Sequence, residues 1–275
     1  MLTHKLMGSA LYYRKPYTLD SPRYLSSLGN GLSSTNTTGV MFTPDGLTMV
    51  FVLHNTVNNN DDIFKEYNLS TAWDISTATA SGRTFQLDSF NPAGAQFVDS
   101  GNRALNVSSS GKALHSYDLS TAYDITTGGQ VSFSTPNWSP ANMQGLHVVE
   151  KATSDVYMCD PGGAEVEQWS MTGTNVSTLS YVRSYSISED TKPRGVAMNP
   201  DQTKMFVSGN TNDRVYQYSL STAGNISTAT YDNLSFSTRY LGSAGEKGPF
   251  DIVFGDNGRY LYVCGFQKGI SQFSL

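Results

Sequence analysis

Apolar and polar residues alternate with a period of two in short runs along almost the whole chain, and turn signals cut those runs at regular intervals. Val40-Met41-Phe42 leads into the turn Thr43-Pro44-Asp45-Gly46, and a second run follows from Met49 to Leu53. A third run ends on an aromatic two residues before an aliphatic, Tyr67 and Leu69, and a fourth is centred on Phe85. The same order returns four more times. The turn column starts at Phe42, Phe97, Val148, Met198 and Phe254, which gives spacings of 55, 51, 50 and 56 residues. A period near 50 residues predicts units of four strands arranged as a propeller or a solenoid.

Three further columns keep that register. A strand ends on Leu53, Ser108, Cys159, Ser208 and Cys264. The aromatic-x-aliphatic pairs are Tyr67/Leu69, Tyr117/Leu119, Trp169/Met171, Tyr218/Leu220 and Phe273/Leu275, and the fourth strands centre on Phe85, Phe133, Tyr185 and Phe236. The fifth unit reaches Leu275 without a fourth strand, whereas Pro22 to Leu28 resembles one and precedes the first unit by a similar gap. The expectation is an all-β, five-bladed β-propeller over residues 22–275, with blades starting near 38, 93, 144, 194 and 249, closed by the N-terminal strand joining the last blade. Closure follows from burial: each unit has two apolar faces that only neighbours on both sides can cover, and an open array would need polar end units. Residues 1–21 are left as an N-terminal arm.

Composition narrows the function classes. The net charge is −5 with 15% charged residues and no basic run, which argues against nucleic acid as a partner. No run approaches the 18 apolar residues of a membrane span. Cys159 and Cys264 fall in blades that are not neighbours, so they read as free, buried thiols. The surface is built of Ser, Thr, Asn and Gly.

Candidate chemistry sits where one blade departs from the rest. Gly39, Gly94, Gly145 and Gly195 open the innermost strands, fitting a crowded axis, and the fifth member of that column is Asp251. His147 lies two residues along in blade three, with Gln96 equivalent in blade two. A polar cluster at one mouth of the channel is one reading of Asp251 and His147; an acid bonded to neighbouring amides and a satisfied interior histidine is the other. A glycosidase would need two carboxylates at a set separation, and these columns supply one, so no catalytic residue is assigned. No His pair has a metal-ligand spacing, and no cofactor is expected. Asn58-Asn59-Asn60-Asp61-Asp62 is the one oxygen-rich loop that could hold Ca2+, without the regular spacing of a known loop. Asp62 and Asp213 both precede a strand and read first as turn residues.

Leu69-Ser70-Thr71-Ala72-Trp73-Asp74-Ile75 recurs at Leu119 to Ile125 and, modified, at Leu220 to Ile226. Asp74, Asp124, Asn175 and Asn225 share one column and Thr71, Thr121 and Thr222 another, as expected of side chains that close turns on their own backbone. Trp73 and Tyr123 vary to Thr174 and Gly224 in blades three and four, so these two aromatics are candidate binding residues for a sugar face or a partner, or covers for a blade edge. In the arm, Tyr12, Tyr13, Arg14 and Lys15 combine aromatics and cations without counterpart in the repeat, which suggests attachment.

The phrase Leu-Ser-Thr-Ala-(Trp/Tyr)-Asp-Ile-(Ser/Thr)-Thr, preceded by Phe-X-Pro-Asp-Gly and an aromatic-X-Leu strand, resembles propeller repeats of virion and tail-associated proteins of marine bacteriophages. The likeness runs from Pro22 onward, although Pro-Asp-Gly followed by Met-Phe-Val is shared with many NHL-like and lactonase-like propellers. Blade three departs most, with Glu150-Lys151-Ala152 for the turn and Met171-Thr172-Gly173 for the phrase. The resemblance implies a structural or host-recognising module on a phage particle, and the leading expectation is a non-enzymatic, tail- or capsid-associated virion protein that makes assembly contacts with other virion proteins, recognises a host surface glycan, or both. A free lectin-like propeller and a lactonase- or glycosidase-like hydrolase are the alternatives.

Overall fold

The structure is a computed structural model, and it describes residues 15–29, 31, 35–57, 62–89, 91–110, 112–135, 142–239, 247–266 and 269–275. Blade one is built from β2 (Thr35–Phe42), β3 (Thr48–Asn55), β4 (Ile63–Leu69) and β5 (Ala78–Gln86). Blade two has β6 (Pro92–Val98), β7 (Arg103–Ser108), β8 (Ala113–Leu119) and β9 (Gly128–Ser134), and blade three has β10 (Gln144–Val149), β11 (Thr153–Asp160), β12 (Glu165–Thr172) and β13 (Ser180–Ser186). Blade four runs through β14 (Pro193–Met198), β15 (Lys204–Gly209), β16 (Arg214–Leu220) and β17 (Ala229–Ser237). Blade five joins β18 (Lys247–Gly255), β19 (Tyr260–Phe266) and β20 (Gly269–Ser274) to β1 (Arg23–Leu28), which pairs antiparallel with β20 from Arg23↔Ser274 to Leu28↔Ile270. The molecule is a five-bladed β-propeller, and the N-terminal strand closes it. No helix among the described residues is long and apolar enough to cross a membrane.

Ring closure is visible in the packing. The core divides into five clusters, and each spans one seam between neighbouring blades. The cluster between blades five and one, with Tyr262, Cys264 and Ile270 against Val40, Met49 and Phe51, has the same make-up as the one between three and four. The polar bonds across these seams also repeat. Tyr157 Oη and Gln168 Nε2 of blade three donate to Gly224 O of blade four at 3.1 and 2.8 Å, and Tyr262 Oη and Gln272 Nε2 of blade five donate to Trp73 O of blade one at 2.6 and 2.8 Å. The closing seam therefore carries the hydrogen bonds of an internal seam, which leaves no apolar blade face open.

Register shows one difference from the columns read off the chain. Counted from the paired residues Met49↔Tyr67, Ala104↔Tyr117, Val156↔Trp169, Met205↔Tyr218 and Leu261↔Phe273, the column beside the axis glycines is Val52, Val107, Cys159, Ser208 and Cys264. Leu53 and Ser108 stand one residue beyond it. The inner hairpin of blade three is one residue longer than the others, pairing Val148 with Val156 where blade one pairs Phe42 with Met49, so an offset that suits blade three overshoots in blades one and two. Cys159 and Cys264 are buried thiols outside any disulfide, and burial pushes the Cys159 thiol well above its ordinary range.

The turn chemistry repeats as the columns imply. Asp74, Asp124, Asn175 and Asn225 each accept the N–H two residues on and cap a short 3-10 turn. The threonine hydroxyls that lock the turn are those of Thr77, Thr127, Thr178 and Thr228, each donating to the carbonyl of the capping residue; they accept from the backbone N–H of Thr71, Thr121, Thr172 and Thr222, whose own side chains are not the ones used.

Candidate functional site at the channel mouth

The axis column is real and tight. A Cβ on Gly39 would lie 2.9 Å from Gly94 Cα, one on Gly94 2.8 Å from Gly145 C, one on Gly145 2.5 Å from Arg194 O, and one on Gly195 2.7 Å from Asp251 Cα. Four innermost strands thus approach the next one backbone to backbone, and Asp251 is the member that carries a side chain. It is buried, and its Oδ1 accepts from the Ile252 N–H at 2.9 Å. Burial raises its carboxyl well above the usual carboxylate range, which favours the protonated form.

One step further along the strands, the five blades contribute Met41, Gln96, His147, Ala197 and Val253. Gln96 clasps the next blade through both backbone groups of one residue: Nε2 donates to Val148 O and Oε1 accepts from Val148 N, each at 2.8 Å. His147 occupies the same position in blade three and makes no such clasp; its ring stands 6.3 Å from that of Tyr157 and has no hydrogen bond among the described residues. Some water reaches the ring through the channel, but protein encloses it, and that burial holds its pKa down to about 4. It is therefore a neutral imidazole, not the satisfied interior histidine of one of the two readings above.

The sign of the resulting pH dependence follows directly. A histidine whose folded pKa is about 4 against 6.5 when unfolded binds its proton better in the unfolded chain, so stability is full above pH 6.5 and falls as pH drops toward 4, by up to about 3 kcal/mol, less the share screened by cavity water. His147→Gln should remove this acid loss. It should also gain the clasp that Gln96 makes, here onto Met198, worth about 1 kcal/mol per bond. Thermal unfolding of both chains between pH 4 and 8 checks it.

Above this level the channel opens into a cavity of 510 Å³ whose lining includes Trp73, Tyr123, His147 and Asp251, so the four binding candidates share one site. Trp73 and Tyr123 are half-buried at its rim, with backbone φ of +65° and +63°, a left-handed conformation that bulky residues rarely hold. Each is fixed by its own N–H, which donates to the turn glycine of its blade: Trp73 to Gly46 O at 2.9 Å and Tyr123 to Gly101 O at 2.8 Å. The rings lie over those glycines, where any Cβ would run into them, and against Phe42 and Phe97, with centroids 5.4 and 5.3 Å apart. Trp73 also covers Gly255 of blade five, so it does seal a blade seam while facing the mouth.

A third aromatic completes this arc, and sequence columns alone did not place it. Tyr17 has φ +53°, donates its N–H to Gly258 O at 3.1 Å, lies over that glycine and meets Phe254 edge-on at 4.9 Å. Leu19, two residues on, is buried and donates its N–H to Gln217 Oε1 of blade four at 2.8 Å, as Ile75 donates to Gln272 Oε1 of blade five at 3.1 Å. Tyr17-Thr18-Leu19 is therefore the second half of the repeated phrase for blade five, and Leu275, whose N–H donates to Arg259 O as Leu69 donates to Leu47 O, is the first half. Within the segment read as an arm, residues 17 to 19 pack into the ring. The signal was there as the aromatic-x-aliphatic spacing of Trp73 and Ile75.

Blades three and four put Glu150 and Asn199 on the other side of the cavity, and Lys151, Asp155 and Gln202 form a polar cluster behind its lining. Gly224 takes the aromatic's place in blade four and bonds Gln202 O; in blade three the bond passes to Gly173, one residue before Thr174, because the phrase there is a residue shorter. Lys151 Nζ donates to Gln202 Oε1 at 2.6 Å and to Asp155 Oδ2 at 2.7 Å, and Glu150 Oε2 accepts from Asp99 N at 2.7 Å. Desolvation, with the charges of Glu150 and Asp45 nearby, raises the pKa of the Tyr123 hydroxyl.

The remaining candidates lie elsewhere. Tyr12, Tyr13 and Arg14 fall outside the described residues, and Lys15 is exposed. Asn58 to Asp61 also fall outside them. Asp62 is buried, and its two oxygens accept from His54 Nδ1 at 3.0 Å, Asn55 N at 2.8 Å and Asn91 N at 3.1 Å. Asp213 is used in the same way, by Gly248 N at 2.7 Å and by Arg239. Both are loop anchors.

No protein-family model matches the chain, and no curated protein matches it significantly. Solved structures resemble it. One is a protein of Lactobacillus plantarum at 12% identity and TM-score 0.48, over 82% of this chain and 63% of that one. Another is a candidate 6-phosphogluconolactonase of Bacteroides uniformis at 14% and 0.48, over 87% and 67%, and a third is a Desulfotomaculum acetoxidans protein of unknown function at 14% and 0.49, over 89% and 70%. The chain spans just under two thirds of the first of these, and likenesses at these identities and TM-scores say nothing of this chain's activity.

Proposed function

We propose that this chain is a non-enzymatic recognition module that takes the end of a glycan at the aromatic mouth of its channel, and that it serves on a phage virion as its repeat resemblance implies. The observation that carries the reading is the mouth itself. An arc of Tyr17, Trp73 and Tyr123 on blades five, one and two faces Glu150 and Asn199 on blades three and four, across a cavity large enough for a sugar residue. Sugars present apolar faces ringed by hydroxyls, and half-buried aromatics beside fixed donors and acceptors suit them. Below the mouth, the axis offers one acid and one imidazole, each buried so that its neutral form is favoured, which argues against their activating a nucleophile.

The test is a glycan array probed with the labelled full chain. Binding to a defined set of glycans should be lost in Tyr123→Ser, which leaves the Gly101 turn intact, and should be kept in Asp251→Asn. Cleavage of any bound glycan, abolished by Asp251→Asn, would overturn the reading and make Asp251 catalytic.

A further inference from the structure

Far from the mouth, at the opposite end of β11 and β12, the hairpin of blade three gathers three carboxylates. Asp160 is the direct cross-strand partner of Glu165, and Glu167 lies two residues beyond Glu165 on the same face of β12. Each offers an oxygen, and these oxygens lie within 4.8 Å of one another. The cluster is interior: Asp160 is 1% exposed and Glu167 7%, with Glu165 half-buried. No cation is paired with any of the three among the described residues.

Two observations separate this cluster from a chance run of acids. Asp160 Oδ1 accepts from Gly162 N at 2.8 Å, but Oδ2 is buried and has no hydrogen-bond partner. That oxygen is turned into the cluster, because a Cβ on Gly163 would lie 2.8 Å from it and 3.2 Å from Glu165 Oε1; the glycine leaves the space between the two oxygens clear. The other blades also fill these columns differently. Leu53, Ile63 and Lys65 stand there in blade one, Ser108, Ala113 and His115 in blade two, Gly209, Arg214 and Tyr216 in blade four, and Gly265, Gly269 and Ser271 in blade five. The fold therefore does not require acids at these positions. Like charges placed directly opposite on two strands are destabilising, and a buried polar atom without a partner costs about 1–3 kcal/mol, so the arrangement calls for a positive partner.

We infer that Asp160, Glu165 and Glu167 form a binding site for a hard divalent cation of the calcium class, held by carboxylate oxygens at the β11–β12 hairpin. Oxygen-only donors with an adaptable glycine turn suit Ca2+ better than a thiol- or imidazole-seeking metal. Trp169 Nε1 donates to Glu167 Oε2 at 2.8 Å, which places an indole beside the site as an optical reporter.

The experiment is a Tb3+ titration of the EDTA-treated full chain, exciting the indole and reading lanthanide emission, followed by displacement with Ca2+. Sensitised emission should appear and be competed by Ca2+, and Ca2+ should raise the melting temperature. Glu165→Gln, the least buried of the three, should fold and weaken binding by about ten-fold or more, since even changes to groups that only orient a metal's ligands cost that much. Trp169→Phe should remove the emission while keeping the Ca2+-dependent thermal shift, which ties the signal to this hairpin. Absence of both emission and thermal shift in the native chain would overturn the assignment. So would emission that survives Glu165→Gln and Asp160→Asn unchanged, which would put the ion elsewhere, the loop at Asn58 to Asp62 included.

Discussion

Gly145→Ala should cost about 3–5 kcal/mol, a large part of the 5–15 kcal/mol that holds a typical domain together. Two effects add. The residue sits at φ +61°, which an L side chain occupies only at a penalty of about 1–2 kcal/mol, and its new Cβ would meet Arg194 O at 2.5 Å and Gly195 Cα at 2.9 Å, backbone atoms that cannot rotate away. The clash lies on the axis, so relief means moving a whole innermost strand. Gly129→Ala is the matched control: nothing lies within 4 Å of its Cβ, and its φ is not positive. Urea unfolding of both variants should show a lower midpoint for Gly145→Ala with an unchanged slope, and a midpoint within about 0.5 kcal/mol of the parent for Gly129→Ala.

The second large effect concerns closure. Removing residues 1–16 should leave a cooperative ring whose melting temperature moves by a few degrees at most. Removing residues 1–28 should abolish cooperative unfolding. The longer deletion takes away β1 and with it the outer strand of blade five, and it also removes Tyr17 and Leu19, which are bonded to Gly258 and Gln217. Blade five would be left with β20 as an unpaired edge, and the seam next to it would lose its polar lock. Circular dichroism melts of the two truncations check this. An unchanged melt for the longer deletion would mean that the ring does not depend on its first strand.

Much of this architecture was legible because a repeat writes the fold several times over. The turn column, the strand order and the need for a closing strand near Pro22 to Leu28 all follow from counting, and the axis column of Gly39, Gly94, Gly145, Gly195 and Asp251 was placed to the residue. Counting fails where one unit changes length. The single extra residue in the inner hairpin of blade three displaced Leu53 and Ser108 from the column of Cys159, and the residue missing from its phrase moved a turn bond from Thr174 to Gly173. It fails again where the unit is split between the two ends of the chain, which is why Tyr17 was read as arm.

The site was legible in its parts and not in its assembly. Trp73, Tyr123, His147 and Asp251 stand out as departures from their columns, but columns do not say which departures face the same space. Only the ring geometry puts all four in one cavity. The hairpin acids are the converse case: Asp160, Glu165 and Glu167 sit in strands whose columns tolerate any residue at those positions, so nothing in the repeat marks them. Their meaning comes from a cross-strand pairing and a buried oxygen, which are facts of three dimensions.

The proposed place of this chain on a virus particle is open to direct measurement. The direct measurement is protein mass spectrometry on virus particles banded in a density gradient, from a culture or sample that carries the gene. Peptides of this chain should band with the capsid proteins and keep a fixed ratio to them through a second gradient. Peptides found only in the particle-free fractions, while capsid proteins band normally, would contradict it.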